Sequence, residues 1–175
     1  EYILPNIAFE RNIFSSEKLG LVDIYSNAFV KNYKVNQYTK MFINDFNWKS
    51  KQFSNAAGLQ SNFEGLLKVV NYEADNAEKY KVDGLTSETS GAIAYNLKYP
   101  LIKKNEEKNK LNLLVPKLSL RTSPSQMRNI SDDDLRLSYS NLFSLNKNSQ
   151  PDVIERGTGA IIGFEFSNSD FINQI

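Results

Sequence analysis

Few side chains in this sequence are equipped for bond chemistry. It contains neither histidine nor cysteine, so the commonest general base, the thiolate nucleophile and the usual zinc ligands are missing. Carboxylates, lysines, serines and tyrosines remain. Asp132-Asp133-Asp134 is a candidate cation site, although one acidic triplet in a polar link reads more simply as a solvated turn. Ser131 and Asp134 have the spacing of a helix cap, while Leu135, Leu137 and Tyr139 alternate as in a strand, and both readings stay open. Glu10, Glu64 and Glu165 could serve as paired acids, yet nothing in the sequence brings them together. Ser123 and Ser125 flank Pro124 without a histidine base. Gly157-Thr158-Gly159 does not open a helix after a strand, so it is no phosphate cradle. These residues predict no catalytic, cofactor or metal site, and the chain reads as a non-enzyme.

The elements around them alternate with a period of two, the signature of strands. Ala160, Ile162, Phe164 and Phe166 share one face, while Gly163, Glu165 and Ser167 point the other way. Leu114, Pro116, Leu118 and Leu120 oppose Val115, Lys117, Ser119 and Arg121. Upstream, Ile3, Pro5, Ile7, Phe9 and Ile13 oppose Leu4, Asn6, Ala8, Glu10 and Asn12, and Arg11 interrupts the apolar face near its end, where a long side chain can snorkel to water. Val22, Ile24, Ala28 and Val30 oppose Asp23, Tyr25, Asn27 and Phe29. Phe42, Phe46 and Trp48 oppose Ile43, Asp45, Asn47 and Lys49. Phe63, Leu67 and Val69 oppose Asn62, Glu64, Lys68 and Val70. Ile93, Tyr95, Leu97 and Tyr99 oppose Ala92, Ala94, Asn96 and Lys98. Polar connections join about seven strands of roughly 10–15 residues, longer than the globular norm. Most connections are too short for parallel crossovers, so the sequence predicts an all-β, antiparallel sheet. One face would meet hydrocarbon and the other water. Strands of this length suit a tilted passage through a membrane, in which ~9–11 residues span the slab.

Composition agrees. The chain has 175 residues, 41% hydrophobic, with a net charge of +1. No run of ~18 apolar residues could form a transmembrane helix, and barrel strands leave a weak hydropathy signal because only alternate residues are apolar. No dense basic block marks a nucleic-acid partner. Glu1-Tyr2-Ile3-Leu4-Pro5 lacks the basic start and apolar core of a signal peptide. The simplest expectation is an excised piece of a longer chain.

The link between the last two strands carries a resemblance. Asn141-Leu142-Phe143-Ser144-Leu145-Asn146, followed by Asp152, Ile154-Glu155 and Gly157, is similar to the NLFS-x-NR…D-R-I-E-x-G signature of the LptD (OstA) family. Pro116-x-Leu118 looks like that family's EP-x-x-x-L strand, and Tyr99-Pro100-Leu101 like its YPL strand end. The resemblance runs from about Tyr95 to Phe166. Lys147 stands where the family favours Arg, Gln150 where it favours Gly, Val153 where it favours Arg, and Val115 where it favours Glu.

The resemblance implies that residues 1–175 are part of a transmembrane β-barrel domain with a long loop at 125–155, in the outer membrane of a Gram-negative bacterium. It implies lipopolysaccharide as cargo, received from a periplasmic LptA-like bridge through an N-terminal domain outside this sequence. It also implies an LptE-like plug lipoprotein inside the barrel. The work would be passage and lateral release, with Pro116 as a point of weak strand pairing. A generic outer-membrane channel or receptor and a soluble β-rich binding domain are the alternatives.

With the long loop taken as extracellular, Ser15–Lys18, Ser54–Gly58 and Lys103–Lys110 fall on the periplasmic side. The loop carries Met127, Ile130, Leu135, Leu137, Tyr139, Leu142, Phe143 and Leu145, too much apolar surface to stay in water. It is therefore expected to fold over the barrel mouth and pack against the inner wall or neighbouring loops, with Asn141 and Asn146 bonding loop backbone.

Overall fold

The computed structural model describes residues 2–33, 37–77, 80, 84–105, 110–124, 138–148 and 150–170. The Asp132–Asp134 triplet, Ser125 and the rest of 125–137 lie outside the described residues. The described residues form one antiparallel sheet of 9 strands, without a helix, and the sheet does not close on itself.

The strands are β1 (Tyr2–Ser16), β2 (Gly20–Tyr33), β3 (Gln37–Lys49), β4 (Phe53–Ser54), β5 (Gln60–Asp75), β6 (Thr86–Lys98), β7 (Leu101–Asn105), β8 (Lys110–Ser123) and β9 (Gly157–Asp170). Each long strand pairs with the next in sequence. β4 is a two-residue flap on β5, a strand the sequence analysis did not anticipate. β6 and β7 pair with successive parts of β8 and act as one strand interrupted at Tyr99-Pro100.

Pro116 explains that interruption. Its carbonyl accepts a bond from the Tyr99 amide at 3.0 Å. In an antiparallel ladder a residue's N–H and C=O point to the same neighbour. The donor that proline lacks would therefore face the gap between β6 and β7, where the ladder skips a step.

Alternation and register together sort the side chains. Register partners share a face, and the apolar sets from successive strands fall on the same side. Ile7 and Phe9 join Val22–Val30, Phe42–Trp48, Phe63–Val69, Ile93–Leu97, Leu114–Leu120 and Ala160–Phe166. This side is bare: Ile162 is 80% exposed, Phe164 69% and Ile7 63%.

Two assignments change. A register shift between Ile3 and Asn6 places Ile3 opposite Lys31 and off the bare face, and one between Asn12 and Phe14 leaves Ile13 without a register partner and puts Phe14, opposite Val22, on that face. A bulge adds a residue without a partner and flips the alternation beyond it, which a strict period-two reading of 1–14 cannot show.

The apolar band runs obliquely across the pairing rows. Phe42 pairs with Asn71, which pairs with Ser87, so that row has turned polar by β5 and β6. Ser61 pairs with Leu97 and Leu97 with Leu118, while Leu114 and Phe166 pair beyond the end of β6. The band thus descends toward the short-turn ends from β3 to β8. On the β3–β5 pair, the Trp48 ring lies against Gly65, where an added Cβ would sit 3.2 Å from Cε3.

The opposite, covered face holds two small apolar clusters. One joins Phe29, Met41, Ile43, Val70, Tyr72, Ala74 and Ala77 with Tyr80, and the other joins Leu66 and Ala92 with Ile154 and Leu145. Gly20 opens β2 at φ +92°, where a Cβ would meet the Lys49 carbonyl at 2.0 Å. Gly58 also has positive φ, but its nearest neighbour would be a Tyr99 ring atom at 3.7 Å. Gly20→Ala should therefore cost several times the ~1 kcal/mol expected of Gly58→Ala. Denaturant unfolding followed by the β-sheet circular dichroism signal checks the order.

Candidate functional site

The covered face is the chain's most elaborated surface, because the segment 138–156 crosses it. Asn141 shapes the entry: its Oδ1 accepts from the Ser138 amide at 2.7 Å, and its carbonyl from the Ser144 amide at 2.9 Å. Phe143 then drops onto β8 and β9. Its ring edge would lie 3.0 Å from a Cβ at Gly163, and Lys117 Nζ stands 5.8 Å from the ring centroid. Gly163 is the seat for that ring, and this is what its missing side chain provides. Leu142 helps to line a cavity of about 210 Å³ beside Arg121 and Gly157.

Asn146 ties the two limbs of the segment together. Its Oδ1 accepts from the amides of Glu155 (3.0 Å) and Asn148 (3.2 Å), and its Nδ2 donates to the Val153 carbonyl at 2.9 Å. Lys147 pairs with Glu155 at 2.9 Å and is 7% exposed. Val153 and Ile154 are fully enclosed, at 2% and 0%. Asp152 accepts from the Tyr80 hydroxyl at 3.1 Å. Gly157, at φ +102°, turns the chain into β9.

Cations on the sheet complete the attachment. Arg121 on β8 donates through Nε to the Leu145 carbonyl and through Nη2 to the Glu155 carbonyl. Lys68 on β5 donates to both oxygens of Asp45 at 2.7 Å and to the Pro151 carbonyl. Tyr72 on β5 donates to Glu88 at 3.0 Å and rests against the Tyr80 ring.

Asn141, Leu142, Phe143, Ser144, Asn146, Asp152, Glu155 and Gly157 thus fall in one packed crossing segment. Pro116 does not join them, because it lies on the bare side of β8, opposite Phe164. The carboxylates are not brought together either. Glu64 answers Asn62 and Lys49, Glu165 answers Lys117, and Glu10 sits on edge strand β1.

Lys68, Tyr72 and Tyr80 are functional positions that alternation alone does not mark. Lysine inside Leu66-Leu67-Lys68-Val69-Val70 was a signal, because a cation in an apolar strand needs a partner. Among the described residues no group of three or more Asp and Glu side chains could hold a metal. The arrangement holds a crossing segment against one face of the sheet. No protein-family model matches the chain, and no curated protein matches it.

Arg121→Met should free the segment by leaving two carbonyls without their charged donor, a loss of about 2–4 kcal/mol. Limited proteolysis should then cut within 138–156 many times faster while the sheet's circular dichroism is unchanged.

Proposed function

We propose that this chain is part of the wall of an outer-membrane β-barrel, and that the barrel is an LptD-like lipopolysaccharide translocon. The observation that carries the membrane reading is the inversion of the sheet. One side carries a broad, bare apolar band, while the other, where small apolar clusters sit among charged and amide groups, is crossed by the chain's own segment. A soluble protein that left so broad an apolar face in water would aggregate. Facing hydrocarbon, the same face is stabilised.

Three details support it. Strands of 13–16 residues are long enough to cross a bilayer at a tilt. The oblique drift of the apolar band is what tilted strands produce when they cut a flat slab. Polar groups in the band satisfy each other: Ser26 donates to Asn44 at 2.7 Å, and the Thr122 and Thr158 hydroxyls meet at 2.8 Å.

The finer reading rests on the Asn141–Gly157 motif, on Tyr99-Pro100-Leu101 and on Pro116-x-Leu118. On that reading the covered face lines the passage, and the short turns after β1, β3 and β7 are periplasmic. Lipopolysaccharide is the cargo, an LptE-like lipoprotein is the plug, and an LptA-like bridge delivers from the periplasm. The protein moves lipid without making or breaking bonds, uses no cofactor and has no nucleic-acid partner.

Arginine scanning tests the membrane reading. Ile162→Arg and Leu67→Arg on the bare face should each cost about 2–4 kcal/mol near the bilayer midplane. Asn47→Arg on the covered side should be tolerated. Equal effects of the two sets on assembly would overturn the assignment. Depleting the protein tests the cargo. Newly made lipopolysaccharide should fail to reach the cell surface, whereas a lost solute uptake with normal surface lipopolysaccharide would favour a generic channel.

A further inference from the structure

The bare face is not flat. Phe63, Tyr95, Leu120 and Ala160 form one register row across β5, β6, β8 and β9, and Ile93, Thr122 and Thr158 lie in a neighbouring row on the same side. Side chains are bulky at Phe63, Tyr95 and Leu120 and small where the row reaches β9, at Thr158-Gly159-Ala160. That step in size opens a cavity of about 550 Å³ along the row. The Phe63 and Tyr95 rings, with centroids 4.7 Å apart, wall one end. Nothing at the other end asks for a polar partner. The Thr122 and Thr158 hydroxyls bond each other, and the Arg121 guanidinium is spent on carbonyls of the crossing segment.

The cavity runs obliquely through the apolar band. Phe63 is the member of the β5 set nearest the short turns, whereas Leu120 and Ala160 are the members of the β8 and β9 sets nearest the long loop. A row that enters the band at one margin and leaves it at the other crosses the hydrocarbon from face to face, which is the course of an acyl chain. Its short-turn end also has a cation. Phe53 pairs with Ser61, one step beyond Phe63 on the same face, and Lys51 Nζ stands 5.4 Å from the Phe53 ring centroid. Lys51 is exposed, and its stem follows apolar surface while the ammonium stays at headgroup level.

We infer that this cavity is a binding site for one acyl chain of a phospholipid from the periplasmic leaflet, with the lipid's phosphate at Lys51. Apolar burial from water is not the driving force, since bulk lipid is as apolar as the wall. The gain is packing: a chain in the groove touches protein on several sides, and an unfilled groove forfeits those contacts. The inference rests on the membrane reading of the bare face and on the short turns being periplasmic, and it names a resident lipid distinct from the cargo on the covered side.

Photocrosslinking of the full-length protein tests it. The protein is reconstituted in vesicles of phosphatidylethanolamine and phosphatidylglycerol doped with a phospholipid that carries a diazirine at the end of one acyl chain, and adducts are mapped by mass spectrometry. Adducts should concentrate on Leu120 and Thr122, several-fold above Ile7 and Phe42, which are also exposed on this face. Ala160→Phe, which fills the cavity from an exposed position, should lower the Leu120 adduct several-fold and leave the Ile7 adduct unchanged, with unaltered circular dichroism. Lys51→Gln should lower it as well, and Lys103→Gln should not. The inference is overturned if adducts spread evenly over the bare face, if Ala160→Phe leaves the Leu120 adduct unchanged, or if Leu120 crosslinks instead to a residue beyond 175. It is also overturned if added lipopolysaccharide abolishes the Leu120 adduct alone, since the site would then hold the cargo's chain. Even labelling would leave the membrane reading standing, whereas a bare face without any adduct would remove that reading itself.

Discussion

Two enclosed cations, Lys68 and Arg121, hold the polar side of this sheet together. A buried ammonium or guanidinium costs several kcal/mol in lost hydration unless its donors are used. Lys68 is satisfied by Asp45, its register partner on β3, and by the Pro151 carbonyl. Arg121 is satisfied by the carbonyls of Leu145 and Glu155. In both cases the sheet supplies the charge and the crossing segment supplies acceptors. Neither part is complete alone: an unstrapped sheet leaves cations half-bonded, and an unanchored segment has no place to put Ile154. This dependence explains how a face that sets cations among its apolar clusters can be buried.

Much of the sheet was legible in the sequence. Faces follow from alternation, and the sets from Val22 to Val30 and from Ala160 to Phe166 need no partner to be recognised. What crosses between strands was hidden. Asp45 with Lys68 and Lys98 with Lys117 are neighbours only because of register, which depends on where each turn closes. The bulge after Ile3 was hidden for the same reason. Tyr99-Pro100 was legible as a strand end, but its cause lay opposite, in the donor missing from Pro116. In the crossing segment, apolar residues indicated that it must pack, and Leu142, Phe143 and Leu145 are half-buried, whereas Tyr139 is 83% exposed. The targets of Phe143 and Asn146 were not readable, because a glycine seat such as Gly163 leaves no mark of its own.

Pro116 takes on a particular meaning in this setting. The weak step it creates lies between β6/β7 and β8, inside the sheet, with β9 paired beyond it. Opening there would separate two strands that are otherwise joined by ladders above and below. The break is better placed to let the sheet bend than to let it part, since the ladder on either side continues through Lys98 and Leu101.

The proposed contact of the bare face with hydrocarbon draws support from its polar residues. A second protein layer would bring its own donors and acceptors, and polar groups in the band could then look outward for partners. Instead Ser26 and Asn44 bond to each other, as do Thr122 and Thr158. Self-sufficiency of that kind is required where the neighbouring phase can neither donate nor accept. Among the described residues the ion pair on this side, Lys40 with Glu73, lies toward the ends of β3 and β5 where the apolar band has already given way. Apart from Arg11, which lies opposite Ile24 between Phe9 and Phe14, this arrangement of paired hydroxyls and amides within and an ion pair at the margin is what the proposed bilayer contact requires.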